Sequence, residues 1–299
     1  MIGVGGVARD WYAKAVASLA LPGGTRPDRA YALVRTARTA CLIGDVARAR
    51  SWLDEAEGLF EELGDEEGSA AVIGACCELE GRIGNYDEAI ELAERLVALR
   101  QSLDAADPAT VAARTGRPSE AEAALAWALL GRAVVENDKE AAERSWEILA
   151  AGADAVATSG TLVEEAAWLA DLAHSLFVLE AYSESIATGQ RALRKLLELE
   201  AANETQIAVV WDCLFTIGLS LCGRGDGGSG ISLVSATQHM WQVSGVAVAE
   251  DPSVQAALGR VEKGARAALG DDGYEAAVNA GEALTRDEAI ALGLSIPPD

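Results

Sequence analysis

The chain has 299 residues, half of them hydrophobic, 24% charged and only 7 of them proline, which excludes a chain disordered throughout. Its 24 Lys and Arg stand against 47 Asp and Glu, a net charge of −23. That field repels phosphate backbones and anionic membrane surfaces, so neither direct nucleic-acid binding nor membrane attachment is expected. No apolar run approaches the roughly 18 residues of a membrane span. The five cysteines, Cys41, Cys76, Cys77, Cys213 and Cys222, form an odd set that reads as reduced thiols rather than a disulfide scaffold. The apolar stretch Ala15 to Leu21 sits beside Arg9, Asp10 and Lys14 and lacks a small-x-small cleavage pattern, so the expected compartment is the cytoplasm.

In chain order, residues 1–28 are expected to form an N-terminal helix and a linker, with a break at Pro22 to Pro27. Leu42-Ile43-Gly44-Asp45-Val46 then aligns with Arg82-Ile83-Gly84-Asn85-Tyr86 at a spacing of 40 residues, and Ala49 falls where Ala89 falls. The preceding segments, Tyr31 to Leu42 and Ala71 to Arg82, are both rich in small and apolar residues, so the unit is helix, tight turn, helix. Looser copies turn at Asn137 before Ala142, at Glu180 before Ser185, and at Gly225 before a helix over Ile231 to Val243. Breaks are expected at Asp107 to Pro118 and at Gly223 to Gly230, where Gly227-Gly228-Ser229-Gly230 reads as a mobile or ligand-adaptive turn. Asn85 with Glu88, Ser119 with Glu122, Thr161 with Glu164 and Thr285 with Glu288 have capping-box spacing and mark helix starts. The abundance of Ala, Leu and Glu, without sustained alternation, predicts helix throughout. The reading is all-α: about five hairpins over 29–245, then C-terminal capping helices over 246–299.

The turn Gly84-Asn85-Tyr86-Asp87-Glu88-Ala89 resembles the tetratricopeptide repeat, whose unit is about 34 residues. Units near 40 residues resemble the longer variant in the C-terminal sensor region of bacterial signalling ATPases and LuxR-type transcriptional regulators. The tail, from Arg266 through Tyr274 to Ala277 and then Gly281 to Leu292, is similar to the segment that closes such regulators. The resemblance implies a right-handed α-solenoid with a concave ligand face, and no catalytic residue. A full regulator also carries a phosphate-binding loop and a helix-turn-helix. Gly3-Val4-Gly5-Gly6 lacks the Gly-Lys-Ser/Thr ending of such a loop.

Phased on the glycine turns, the inward positions of the first helices include Tyr31, Arg38, Glu78, Arg82, Trp127, His174, Phe177, Asp212 and Phe215, a candidate groove. Rings supply contact area there, and charges fix orientation. Trp127, Trp146, Trp168 and Trp211 read equally as knobs packed between helices. Arg38 and Arg82 can attract a carboxylate or an acidic peptide, or serve as solvated ion-pair partners. His174 and His239 are the only imidazoles and lack ligand spacing, so neither a metal nor a cofactor is expected.

The function expected is that of a non-enzymatic binding and regulatory module for a protein segment, peptide or small signal molecule. The alternatives are a scaffold recruited as an enzyme on a hydrophobic metabolite, with His174, Asp212 or Glu78 as acid or base, and a structural adaptor that can form a homodimer.

Overall fold

A computed structural model describes residues 7–19, 25–106, 120–199, 204–244 and 251–297. Among the described residues every regular element is an α-helix. In order they are α1 (Val7–Leu19), α2 (Arg26–Leu42), α3 (Val46–Leu63), α4 (Glu66–Arg82), α5 (Tyr86–Ala106), α6 (Glu120–Glu136), α7 (Lys139–Ser159), α8 (Leu162–Val178), α9 (Tyr182–Leu197), α10 (Glu204–Arg224), α11 (Gly227–Ser244), α12 (Pro252–Glu282) and α13 (Arg286–Ser295). No helix among them is long and apolar enough to cross a membrane.

All five predicted turns fall on residues with a left-handed backbone: Gly44, Gly84, Asn137, Glu180 and Gly225, with φ of 78°, 86°, 57°, 62° and 105°. Four of them close with one hydrogen-bond pattern. The amide after the left-handed residue donates five residues back, Asp45 to Ala40, Asn85 to Glu80, Ala181 to Leu176 and Asp226 to Leu221, at 2.8–2.9 Å. This bond satisfies a carbonyl that the helix end leaves without a partner. Five residues beyond each left-handed position stands a small, buried residue: Ala49, Ala89, Ala142, Ser185 and Gly230. Only a small side chain fits where the two helices of a hairpin run closest, and the sequence repeat records that constraint.

The chain divides into two compact units. The first comprises Met1–Thr115, Ser119–Arg132 and Trp241–Pro252. Within it α2 packs on α1, α3 and α4, and α4 packs on α3 and α5. Its core gathers Leu33, Leu53, Phe60, Val72 and Leu79 around Ala37, Ala49 and Ala75. The Tyr86 ring lies against Gly131, where a Cβ would meet the ring at 2.3 Å. The second unit comprises Gly116–Pro118, Ala133–Met240 and Ser253–Asp299. In it α8 packs on α7, α9 and α10, while α13 packs on α9 and α10. The core runs through Leu169, Ile186, Leu193, Leu214, Ile217 and Leu233 to Ala289, Ile290 and Ile296 of the tail.

Helix starts follow local chemistry. Thr161 with Glu164 and Thr285 with Glu288 form capping boxes as predicted, and Thr25 with Asp28 forms a third that the spacing search missed because Asp stands in for Glu. Asn85 instead sends its amide Nδ2 to Glu80 Oε2 at 2.8 Å. Ser119, the break at 107–118 and Gly3 to Gly6 lie outside the described residues, as do residues 22–24 of the first break.

The adaptive turn expected at Gly227 to Gly230 is the first turn of α11. Asp226 starts that helix, its side chain accepting from Ser229 N and its carbonyl from Gly230 N. Of the three glycines Gly230 serves close packing, a Cβ there standing 2.7 Å from Gly218 O, while Gly228 has open space around it. Gly270 is the tail's true break: at φ 70° and ψ 169° it divides α12, in a region that glycine alone occupies readily. Arg266 spans the break, its guanidinium 3.8 Å above the centre of the Tyr274 ring.

Candidate functional site

The first unit holds five of the nine predicted groove residues. Arg38 on α2 reaches Glu78 on α4 at 3.3 Å. Crowding raises the Glu78 pKa, opposed by the positive charges of Arg38 and then Arg82, although its side chain stays 44% exposed. A carboxylate can be crowded and yet touch solvent where the surface is concave. The pair spends the Arg38 charge inside the protein, which favours the ion-pair reading of that residue over capture of an acidic peptide. Its Nε is enclosed and has no hydrogen-bond partner among the described residues. Trp127 is half-buried and covers Gly81, where a Cβ would come within 2.6 Å of the ring. Tyr31 stacks edge-on against Phe60 at 4.8 Å and donates its hydroxyl to Asp65, 3.2 Å away. It is a clasp between α2 and the start of α4.

The other four lie in the second unit. Phe177 and Phe215 are 4% and 3% exposed, so they supply core volume more than groove surface. His174 meets the edge of Phe177 at 6.0 Å, and its Nε2 is enclosed without a hydrogen-bond partner among the described residues. Burial, with the positive charge of Arg260 adding to it, pushes the His174 pKa down to about 4, so the ring is neutral at pH 7. Arg260 is itself engaged, donating to the carbonyls of Ala133 and Val134 at 3.3 and 2.7 Å.

Sequence reasoning missed Asp171, one turn before His174 on the same face of α8. Burial, reinforced by the charge of Asp212 on α10, pushes its carboxyl up to about 7. Asp212 is exposed. The signal available was the Asp171-x-x-His174 spacing within a helix that otherwise reads as Ala and Leu. Two carboxyls therefore share one neighbourhood, and that of Asp171 receives no hydrogen bond or ion pair from any described residue.

The tryptophans divide. Trp168 covers Gly152 and joins the core, Trp211 is buried with its Nε1 unpartnered among the described residues, and Trp146 stands 39% exposed. No group of three or more His, Cys, Asp and Glu among the described residues is placed to hold a metal ion. Burial also pushes these thiols up, Cys41 and Cys76 to about 11 and Cys77 and Cys222 to about 12, which keeps them protonated at neutral pH. The chain matches no protein-family model and no curated protein.

Proposed function

We propose that the chain is a non-enzymatic binding and regulatory module: a right-handed tetratricopeptide-like array of helical hairpins whose first helices receive a protein segment, a peptide or a small signal molecule. The observation that carries the reading is the pair of enclosed polar atoms on those helices without a partner among the described residues, Arg38 Nε on α2 and His174 Nε2 on α8, the latter one turn from the raised Asp171 carboxyl. Leaving such a group unpaired costs about 1–3 kcal/mol, which a ligand supplying the missing partner recovers. Contacts between successive first helices, α2 with α4 and α8 with α10, support stacking of the hairpins. A ligand that touches several hairpins favours the curvature it fits best, and that preference is what a regulatory partner would read.

Native mass spectrometry of the full chain, purified gently from its own host, tests this. A mass above that of the chain is expected, lost in Asp171→Ala or in His174→Ala. An intact mass equal to the chain or to a whole multiple of it overturns the reading. The Asp171 carboxyl, titrating near neutral pH beside Asp212, favours the enzymatic alternative. That reading requires turnover of a bound compound with a pH profile that Asp171→Asn abolishes.

A further inference from the structure

The first unit contains a cavity of about 200 Å³ at the turn ends of its hairpins, lined by Cys41, Gly44, Val46, Leu79, Arg82, Ile83, Asp251 and Pro252. It is formed where α2 and α4 end, where α3 begins and where α12 begins. Pro252 closes one side against Gly84, where a Cβ would stand 3.2 Å from the proline ring. Most of the wall is apolar. Arg82 is the exception that matters: it is half-buried, and its guanidinium makes no hydrogen bond or ion pair with any described residue. Glu78 and the Cys41 thiol influence it only through space.

An arginine in the lining of a mostly apolar cavity, without a partner among the described residues, is unusual in a protein with 47 acidic residues and 24 basic ones. A cation here would ordinarily find a carboxylate of the chain. Three features set what fits. The guanidinium asks for an anion, best one that accepts two parallel N–H bonds. The buried Asp251 in the same wall repels a second negative charge, so a monoanion is favoured over a phosphate. The volume falls below the roughly 300–1,000 Å³ of drug-sized pockets, so the body is short.

We propose that this cavity is a binding site for a small monocarboxylate with a short apolar body, the carboxylate on Arg82 and the body against Val46, Leu79, Ile83 and Pro252. The site takes Arg82 out of the predicted groove set and gives it a different role, at the turn end of α4 rather than along a helix face, so it goes beyond the groove reading. It is tested by titrating the full chain calorimetrically with sodium hexanoate, and with 1-hexanol and hexylammonium, which share its body and change its charge.

Hexanoate is expected to saturate one site, hexanol to bind much more weakly, and hexylammonium not at all. Arg82→Gln should weaken hexanoate binding roughly tenfold or more, the loss of one charge-assisted contact, while Arg82→Lys retains part of it. Ile83→Trp, which fills the cavity and leaves Arg82 in place, should abolish binding, so the test survives if Arg82→Gln fails to fold. Absence of saturable hexanoate binding overturns the proposal. So does hexanol binding as tightly as hexanoate, or unchanged affinity in folded Arg82→Gln. Asp171→Ala, which tests the groove, should leave hexanoate binding intact, so the two readings fail separately.

Discussion

Gly218 and Gly230 approach until neither tolerates a side chain: a Cβ on Gly230 would stand 2.7 Å from Gly218 O, and one on Gly218 would stand 2.9 Å from Gly230 O. The pair occupies the place that Ala37 and Ala49 hold in the hairpin of α2 and α3, each residue at the same distance from its turn. Gly230→Ala and Gly218→Ala should therefore each destabilise by about 1–3 kcal/mol, because backbone cannot move aside as a side chain can. Gly228, two residues away on α11, has open space around it. Gly228→Ala should stabilise by about 0.5–1 kcal/mol through helix propensity. Urea denaturation of the three variants checks the contrast, and equal effects would return this segment to the adaptive-turn reading.

Glu180 holds the left-handed position that glycine holds at three of the five turns, with φ of 62°. A side chain there costs about 1 kcal/mol in backbone strain. Glu180→Gly should recover roughly that amount, and Gly84→Ala should lose it at φ 86°. Thermal melts of both variants decide the matter; a destabilised Glu180→Gly would mean that the side chain makes a compensating contact.

These turns explain what was legible in the sequence. A left-handed residue followed at a fixed distance by a small one is a local steric demand, so Gly44, Gly84 and even the degenerate turns at Asn137 and Glu180 left a mark. The division into two units left none, because it depends on contacts between distant segments, such as Arg260 with the carbonyls at the end of α6. The candidate site was partly legible. His174 stood out as one of two imidazoles, whereas Asp171 is one acid among 47 acidic residues until burial singles it out. The run at Gly227 to Gly230 misled because composition alone does not separate glycine for bending from glycine for close approach.

Asp171 and His174 should act on stability with opposite signs. The folded-state pKa of Asp171 is raised from 3.8 to about 7, so its contribution is full below pH 3.8 and is lost as pH rises through 7. That of His174 is lowered from 6.5 to about 4, so its contribution is full above pH 6.5 and is lost as pH falls through 4. Between about pH 4 and 6.5 the two trends oppose each other. Relative to the parent, Asp171→Asn should gain stability as pH rises across that window, by about 1–3 kcal/mol once solvent contact is allowed for. His174→Gln should lose stability over the same range. Denaturation midpoints at pH 4.5, 6 and 8 test the signs, and parallel profiles for parent and Asp171→Asn would show that the carboxyl is not buried against Asp212.

Gln190 latches the tail. Buried on α9, it donates Nε2 to the carbonyls of Gly293 and Ile296 at 2.9 and 2.7 Å, two acceptors at the end of α13. Those carbonyls have no helical donor beyond them, so the amide serves as a C-cap supplied from another helix. The apolar residues of the tail, Ala289 and Ile290 of α13 and Ile296 just beyond it, join the core of the second unit. Gln190→Leu keeps the volume and removes the donors, leaving both carbonyls without their partner at a cost of about 1–3 kcal/mol. The loss should be local before it is global. Hydrogen exchange of α13 amides should accelerate well ahead of those in α9 and α10, because the tail opens while the hairpins it covers stay closed. Uniform acceleration across the second unit would instead make Gln190 a core residue of that unit rather than a latch on α13.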